Sequence, residues 1–191
     1  MRFAFDIAIA FLVAVATSVA SAWIAVDRAP LFNPLRVGVW VAWPRASGVD
    51  ADPYDLAALS RRPDLPLGSA EGLAFTATAD NQGAALDGRC TYTVDGATPP
   101  ARLWTLTAYD AVGGLMPNPS ERFAYDSRTI LRRPDGSFLI TVAPRAQPGN
   151  WLPVASGKRF SLVLRLYDTP LTSAARPAAI SMPTIRKSAC P

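Results

Sequence analysis

The sequence has no histidine and only two cysteines and two lysines among its 191 residues. Without histidine, Ser-His-Asp, Cys-His and histidine-dependent acid–base mechanisms are excluded. The two cysteines, Cys90 and Cys190, lack the close spacing of metal ligands, and no Gly-x-Ser-x-Gly, phosphate-binding or dinucleotide-binding motif is present. The sequence therefore predicts no metal and no other cofactor, and it identifies no catalytic residue. An enzyme built on this chain would have to use Asp, Glu, Tyr or Arg side chains.

Acidic residues are scarce in the second half of the chain. Residues 27–110 carry ten acidic residues and seven arginines, a net charge of −3, whereas residues 111–191 carry four acidic and eleven basic residues, a net charge of +7. This asymmetry favours an anionic partner, although scattered arginines on a solvated surface are the simpler interpretation. No nucleic-acid-binding motif is present, so nucleic acid is not a predicted partner.

An uncharged run of twenty residues, 7–26, lies near the N-terminus. As a helix rising ~1.5 Å per residue it would span about 30 Å, the thickness of the hydrocarbon core of a bilayer. It fits a signal anchor with Trp23 at the membrane interface, or a signal peptide cleaved after Ala22. The anchor, which we favour, makes residues 1–28 a single inner-membrane span and residues 29–191 a periplasmic domain. Cleavage would leave the same domain periplasmic or secreted.

Export would place both cysteines where disulfides persist, which favours a bridge between Cys90 and Cys190. Their Cα atoms would then lie about 4.4–6.8 Å apart. In the chain-entropy model, closing a loop of about 100 residues stabilises the fold by ~4.7 kcal/mol, and the bridge would hold the chain after Ile180. Two free buried thiols or an intermolecular bond are the alternatives.

Period-two alternation of apolar residues predicts seven or eight short strands. Asp52 and Pro53 mark the start of one short helix, which the proline at position 63 would end. Pro134-Asp135-Gly136 is typical of a hairpin turn. The pattern predicts a mainly β fold, an antiparallel and jelly-roll-like sandwich of two sheets, with a barrel as the alternative. The predicted strands lie within residues 31–44, 73–79, 89–94, 103–109, 123–132, 137–143, 160–167 and 180–185.

Four motifs carry a resemblance to a known family: Trp104-Thr-Leu-Thr-Ala-Tyr109-Asp110, Arg133-Pro-Asp135-Gly136-Ser137, Asn150-Trp151-Leu152-Pro153 and Leu164-Arg165-Leu166-Tyr167. This ordered series resembles the family called domain of unknown function 1214. Upstream, Gly38-Val39-Trp40 and Asp52-Pro53-Tyr54 resemble the short, membrane-anchored members of that family. The resemblance covers most of residues 36–190. It implies a β-domain of the cell envelope without an agreed activity, whereas larger relatives carry a second domain in front.

The candidate ligand-binding residues are polar and aromatic side chains of the second half: Trp104, Tyr109, Arg128, Asn150, Trp151, Arg165 and Tyr167. Two of them have a simpler interpretation, since Asn150 could hold a loop through bonds to the backbone and Trp151 could fill the core. Arg165 lies in the middle of a predicted strand. It fits a solvated residue, a buried partner of Asp110 or Asp126, or an anchor for an anion.

The leading hypothesis is a non-enzymatic binding or structural module that the N-terminal helix holds at the membrane. One alternative is a hydrolase for an anionic small molecule, in which Arg165 or Arg128 clamps the anion. That alternative requires Arg165, Tyr167, Trp104 and Trp151 to line one open pocket beside a carboxylate. A second alternative is a subunit that assists an envelope protein, which would need an exposed sheet edge or apolar patch.

Overall fold

The computed structural model describes residues 2–28, 34–44, 48, 51–60, 67–68, 70–172 and 180–191. An N-terminal apolar helix precedes a β-rich body. The helices are α1 (Arg2–Arg28) and α2 (Pro53–Leu59), and a 3-10 turn covers Pro170–Thr172. The strands are β1 (Leu35–Val37), β2 (Trp40–Ala42), β3 (Gly72–Ala77), β4 (Thr91–Gly96), β5 (Leu103–Asp110), β6 (Ala124–Asp126), β7 (Phe138–Ala143), β8 (Asn150–Pro153), β9 (Phe160–Tyr167) and β10 (Thr184–Ala189).

The described strands form two sheets that pack face to face. One has six strands in the order β1-β2-β3-β9-β5-β6, and the other has four in the order β10-β4-β7-β8. Ring contacts join the sheets across the core, Tyr92 with Phe160 at 5.8 Å and Trp104 with Phe138 at 5.0 Å between ring centroids. The predicted mainly β, two-sheet fold is confirmed.

Strand β9 occupies the middle of the six-stranded sheet, between β3 and β5. Leu162, Leu164 and Leu166 are fully buried on its inner face, while Arg165 and Tyr167 lie half-buried on its outer face. Successive side chains of a strand point to opposite faces, and this segment has leucine at every second position. The strand therefore has the predicted bounds and sets the position of Arg165.

The prediction of a single strand within residues 31–44 is wrong, because β1 and β2 form a hairpin there. Gly38 takes a φ of +60° in the two-residue turn between them, a conformation that glycine adopts without steric cost. Apolar residues on both faces produce the same pattern in one buried strand as in two paired ones. Trp40 in β2 also donates from Nε1 to the carbonyl of Pro183, at 2.8 Å, which ties the hairpin to the start of β10.

The short helix has the predicted N-terminus. The side chain of Asp52 accepts a hydrogen bond from the backbone N–H of Tyr54, at 2.8 Å, and Pro53 is the first helical residue. A side-chain acceptor at this position satisfies a backbone donor that has no partner within the helix. The helix ends at Leu59, and the proline predicted to stop it lies outside the described residues.

The strand predicted for residues 123–132 is much shorter, because β6 ends at Asp126. There the Asp126 side chain accepts hydrogen bonds from the backbone N–H groups of Arg128, at 2.7 Å, and Thr129, at 3.0 Å. These bonds turn the chain out of the sheet, as Asp side chains often do at turns. The bond from Arg128 also lowers the pKa of Asp126 below its ordinary value.

The predicted turn at Pro134-Asp135-Gly136 is confirmed. The N–H of Arg133 donates to the carbonyl of Ser137, at 2.8 Å, and Gly136 has a φ of +80°. The hydroxyl and the N–H of Ser137 both donate to Asp135, which lowers the pKa of Asp135. Asp135 is therefore a turn residue.

The last strand begins later than predicted, at Thr184, and pairs with β4 along the edge of the four-stranded sheet. Cys190 follows this strand directly and forms a disulfide with Cys90, with Cα atoms 4.1 Å apart. The predicted pairing of the two cysteines is confirmed, with a Cα distance slightly below the predicted range.

The N-terminal helix α1 is 27 residues long, about 40 Å at ~1.5 Å per residue. Its segment Arg2–Ala25 has a mean hydropathy of 2.2, and the apolar window within it has 0% of its residues buried in the body. A helix of this length and composition is able to cross a bilayer. Within the part of the chain that the structure describes, the body leaves this apolar surface exposed.

Candidate functional site

The structure does not bring the seven candidate residues into one site. Three of them, Tyr109, Arg165 and Tyr167, lie half-buried on the outer face of the six-stranded sheet. Trp151 lies on the other side of the sandwich, on β8 at the edge of the four-stranded sheet. The remaining three are Trp104 and Asn150, which are buried, and Arg128, which is exposed in the turn after β6.

Trp104 belongs to the hydrophobic core. Its side chain is 2% exposed and its ring packs against Phe138 of the opposite sheet, tilted by 34°. A side chain closed between two sheets has no surface to offer a ligand. The pocket that the hydrolase hypothesis required, lined jointly by Trp104, Trp151, Arg165 and Tyr167, is therefore not formed.

Asn150 holds a loop, which was the simpler of its two interpretations. The side chain is 6% exposed; its Oδ1 accepts from the N–H of Leu131 at 2.9 Å, and its Nδ2 donates to the carbonyls of Leu131 at 2.8 Å and Leu139 at 2.9 Å. These bonds fasten the chain after β6 to β7 and use three of the four bonds that an amide makes. Asn150 is thus assigned to the body of the domain.

We expect the Asn150→Ala substitution to lower the free energy of unfolding by about 3 kcal/mol, because three hydrogen bonds of about 1 kcal/mol each are lost. Urea denaturation of the full chain, followed by circular dichroism, measures this loss. Gln82→Ala is the matched control, since it removes an exposed amide whose side chain makes no bond within the described residues. A stability loss no larger than that of the control would contradict the structural role of Asn150.

Arg165 pairs with an aromatic residue instead of a carboxylate. Its Nη1 donates to the hydroxyl of Tyr109 at 2.9 Å, and its Cζ lies 5.3 Å from the centroid of the Tyr109 ring. The proposed partners are occupied elsewhere: Asp110 accepts from the N–H groups of Val112 and Gly114, and Asp126 accepts from the turn that follows it. The interpretation of Arg165 as a partner of either aspartate is wrong.

The arginines that lie close together in the sequence do not form one basic patch. Arg133 makes an ion pair with Asp95, 2.7 Å between Nη1 and Oδ1, and Arg132 donates to the carbonyl of Gly136 at 2.8 Å. All three arginines are exposed, and the guanidinium of Arg128 makes no hydrogen bond or ion pair within the described residues. Two of the three guanidinium groups are therefore held by contacts within the domain, Arg133 by a carboxylate and Arg132 by a backbone carbonyl.

A cleft that the sequence did not predict opens beside β8. Its volume is about 380 Å³, and it contains Trp151 together with residues of the segments before β6 and around β8. The lining residues are Pro117, Asn118, Pro119, Ser120, Pro144, Trp151, Pro153, Val154, Ala155 and Ser156. The density of proline near Trp151 was visible in the sequence, but the approach of residues 117–120 to β8 is a tertiary contact.

The walls of this cleft are held by internal hydrogen bonds. Asn118 donates to the carbonyls of Met116, at 3.2 Å, and Arg122, at 3.0 Å, and accepts from the Ser120 hydroxyl at 2.9 Å. The Nε1 of Trp151 donates to the carbonyl of Ala143 at 2.9 Å, which fixes the indole ring. The polar groups of the walls are thus engaged in hydrogen bonds within the protein, and the surface that the cleft offers to a ligand is mainly apolar.

Arg122 joins the two walls of the cleft. Its Nη1 donates to the hydroxyl of Tyr125 at 3.0 Å and to the carbonyl of Trp151 at 3.4 Å, and its Cζ lies 5.4 Å from the Tyr125 ring centroid. The segment before β6 is therefore attached to the free edge of β8. A charged group stands at the border of the cleft, with no charged residue among those that line it.

Comparison with solved structures shows a similar fold in the VPA0106 protein of Vibrio parahaemolyticus, at 24% identity and a TM-score of 0.59, over 73% of this chain and 36% of that one. An uncharacterised protein of Burkholderia cenocepacia matches at 15% identity and a TM-score of 0.45, over 87% of this chain and 39% of that one. The match thus spans well under half the length of either protein. No curated protein matches the chain.

A family defined only as "Protein of unknown function (DUF1214)" matches residues 71–171, which is 101 of the 191 residues. The matched segment runs from the start of β3 into the 3-10 turn, so it includes the Arg165–Tyr109 pair and the cleft beside β8. It leaves out α1, the β1–β2 hairpin and the C-terminal strand. Because more than half of its length matches, the chain belongs to the DUF1214 family.

Proposed function

We propose that this protein is a membrane-anchored binding module of the cell envelope, and that the cleft beside Trp151 takes a small amphipathic molecule. The observation that carries the proposal is the cleft itself, which combines an aromatic ring, four prolines and a volume of about 380 Å³. Ligand pockets for small molecules are concave, mostly apolar and of about 300–1,000 Å³.

The anchor is proposed from α1 and the compartment from the disulfide. The exposed apolar segment Arg2–Ala25 would span the inner membrane once, and the β-rich body would lie in the periplasm. A structural bridge between Cys90 and Cys190 suits such an oxidising space. In this arrangement the membrane is the first partner, and an envelope protein as a further partner stays a prediction.

The chemistry of the cleft favours binding over turnover. Its lining residues, all within the described part of the chain, include no Asp, Glu, Lys, Arg, Tyr or Cys side chain. A general acid or base must reach the proton that it transfers, within about 2.6–3.2 Å or through one water. The cleft supplies no such group, whereas the Trp151 ring and the proline rings supply flat apolar contacts.

To test the binding function, the full chain is labelled with 5-fluorotryptophan and placed in lipid nanodiscs. Fluorine NMR then follows a panel of small amphipathic fragments. We expect the signal of Trp151 to shift saturably, because its ring lines the cleft, whereas the signals of Trp40 and Trp104 stay in place because these rings are 1% and 2% exposed. Signals are assigned by single Trp→Phe substitutions.

The matched control for this experiment is Leu131→Ala, which removes an apolar side chain that is 67% exposed and is not part of the cleft. Pro119→Ala, which alters one wall, should weaken fragment binding, and Leu131→Ala should not. A panel that shifts all tryptophan signals alike, or none of them, would refute the proposed cleft.

A further inference from the structure

We propose that Arg165 and Tyr109 form an anion-binding site on the outer face of the six-stranded sheet, which takes a carboxylate or phosphate group. This site lies on the opposite side of the sandwich from the Trp151 cleft and does not depend on it. The inference rests on the juxtaposition of a guanidinium that has no carboxylate partner among the described residues and a phenol hydroxyl that is free to donate.

The register of the strands explains how the two side chains meet. Arg165 on β9 lies opposite Thr105 on β5, and Tyr109 lies opposite Ser161. These two cross-strand pairs are four residues apart along the strands, about 13 Å at ~3.3 Å per residue. The long side chains therefore extend toward each other along the sheet and meet above the pair between them, Val163 and Thr107.

The burial of that middle pair agrees with this geometry. Val163 and Thr107 point outward, yet they are only 4% and 6% exposed. An arginine stem and a tyrosine ring that cross above them would remove them from water, since arginine often lays its apolar stem along such surface. The guanidinium consequently lies on a surface from which water is excluded, and electrostatic attraction is less screened there than in bulk water.

Most of the hydrogen-bonding capacity of the pair is unused. A guanidinium has five N–H donors, and the one described bond of Arg165 occupies one of them. The Tyr109 oxygen accepts that bond, so its O–H remains a donor that can point at the same anion. Guanidinium forks bind carboxylate and phosphate oxygens in pairs, which is the geometry that this site offers.

The neighbouring residues leave room and carry little opposing charge. The residues level with Arg165 on the adjacent strands are the small Ala74 and Thr105. Asp126 lies beyond Thr105 on β6, roughly 10 Å from β9 at ~4.8 Å per strand. The Asp126 carboxylate also accepts hydrogen bonds from the N–H groups of Arg128 and Thr129, so its charge is partly offset within its own turn and repels an anion at Arg165 less strongly.

The test uses the full chain in nanodiscs of zwitterionic lipid and follows the backbone amide signals of Thr105 and Val163 by NMR during titration with inorganic phosphate and with acetate. We expect a saturable shift. Arg165→Gln should weaken binding at least about a hundredfold, because it removes both the charge and the fork, and Tyr109→Phe should weaken it about tenfold. Arg165→Lys, which keeps the charge without the fork, should fall between these two.

The control is Arg186→Gln, which removes an exposed arginine of the other sheet and should leave the affinity unchanged.

Nanodiscs with anionic lipid and no added phosphate distinguish the source of the anion. A shift at Thr105 and Val163 there identifies a lipid headgroup, and a shift with soluble phosphate or acetate alone identifies a free anion. If neither medium shifts these signals, or if Arg165→Gln binds like the control, the pair merely covers Val163 and Thr107 and the proposal is wrong. Fluorine signals of Trp151 report separately on the cleft, so the two proposals fail independently.

Discussion

Replacing Cys90 or Cys190 by serine is expected to lower the free energy of unfolding by about 2–5 kcal/mol. The bridge joins residues 100 positions apart, so it removes much of the conformational freedom of the unfolded chain. Cys90 is 4% exposed at the start of β4, whereas Cys190 is exposed at the end of β10. The disulfide therefore fastens the end of an edge strand to a fixed position in the sheet.

The structure limits how much of the chain would fray when the disulfide is removed. The sequence predicted fraying after Ile180, but Ile185 is fully buried, and the side chain of Asn81 accepts from its N–H at 2.6 Å. The N–H of Asn81 also donates to the carbonyl of Ile185, at 2.9 Å, which closes that part of the free edge of β10. We now expect fraying only after the β-bulge that follows Lys187.

Two measurements check this prediction on the full chain. Urea denaturation without reductant gives the stability of Cys90→Ser, Cys190→Ser and the double substitution, which should not be additive because either change breaks the same bond. Hydrogen exchange should rise for residues 188–190, while the amide of Ile185 stays protected. Two reactive thiols in the unfolded, unreduced protein would show that the bridge is absent and would also count against export.

Replacing Trp104 by alanine is expected to cost about 3–5 kcal/mol, the usual range when a large aromatic side chain is removed from a core. Trp104 is 2% exposed and packs against Phe138 across the two sheets. The substitution would leave a cavity between β5 and β7, where neighbouring side chains relax only in part. The substitution would therefore lower the stability of the sandwich rather than alter a binding site.

Circular dichroism during urea denaturation measures this change, because it does not depend on the tryptophan that is removed. Trp104→Phe keeps most of the ring volume and should cost much less, which separates a packing role from general sensitivity at this position. If Trp104→Ala left stability near that of the parent and abolished fragment binding, its role as a core residue would be overturned.

Local signals predicted those parts of the fold in which neighbouring residues alone decide the structure. Leucine at every second position predicted the bounds of β9, and Asp52 with Pro53 predicted the start of α2. Asp135 and Gly136 predicted their turn. In each case the deciding contacts lie within a few residues along the chain, so the pattern contains the information.

Strand β8 was not predicted because its apolar pattern is only four residues long and its parallel pairing with β7 is set by the tertiary fold. It has four residues and runs parallel to β7 after a connection of six residues, whereas parallel strands usually need a dozen or more. Gly149, with a φ of +77°, precedes the strand where the chain reverses. Neither the periodicity of apolar residues nor the turn residues predict such a strand. The location of Trp151 at the edge of the sheet is therefore decided by the tertiary structure.

The chemistry of this protein divides along the same line. The absence of histidine, the apolar N-terminal run and the pair of cysteines fixed which mechanisms are excluded, which segment suits a membrane and which bond is available. Whether Trp104 or Trp151 meets a ligand, and whether Arg165 finds a carboxylate or a phenol, depended on which strands became neighbours. Those neighbours are set by burial of the whole core at once, a sum over distant residues that no window of the sequence contains.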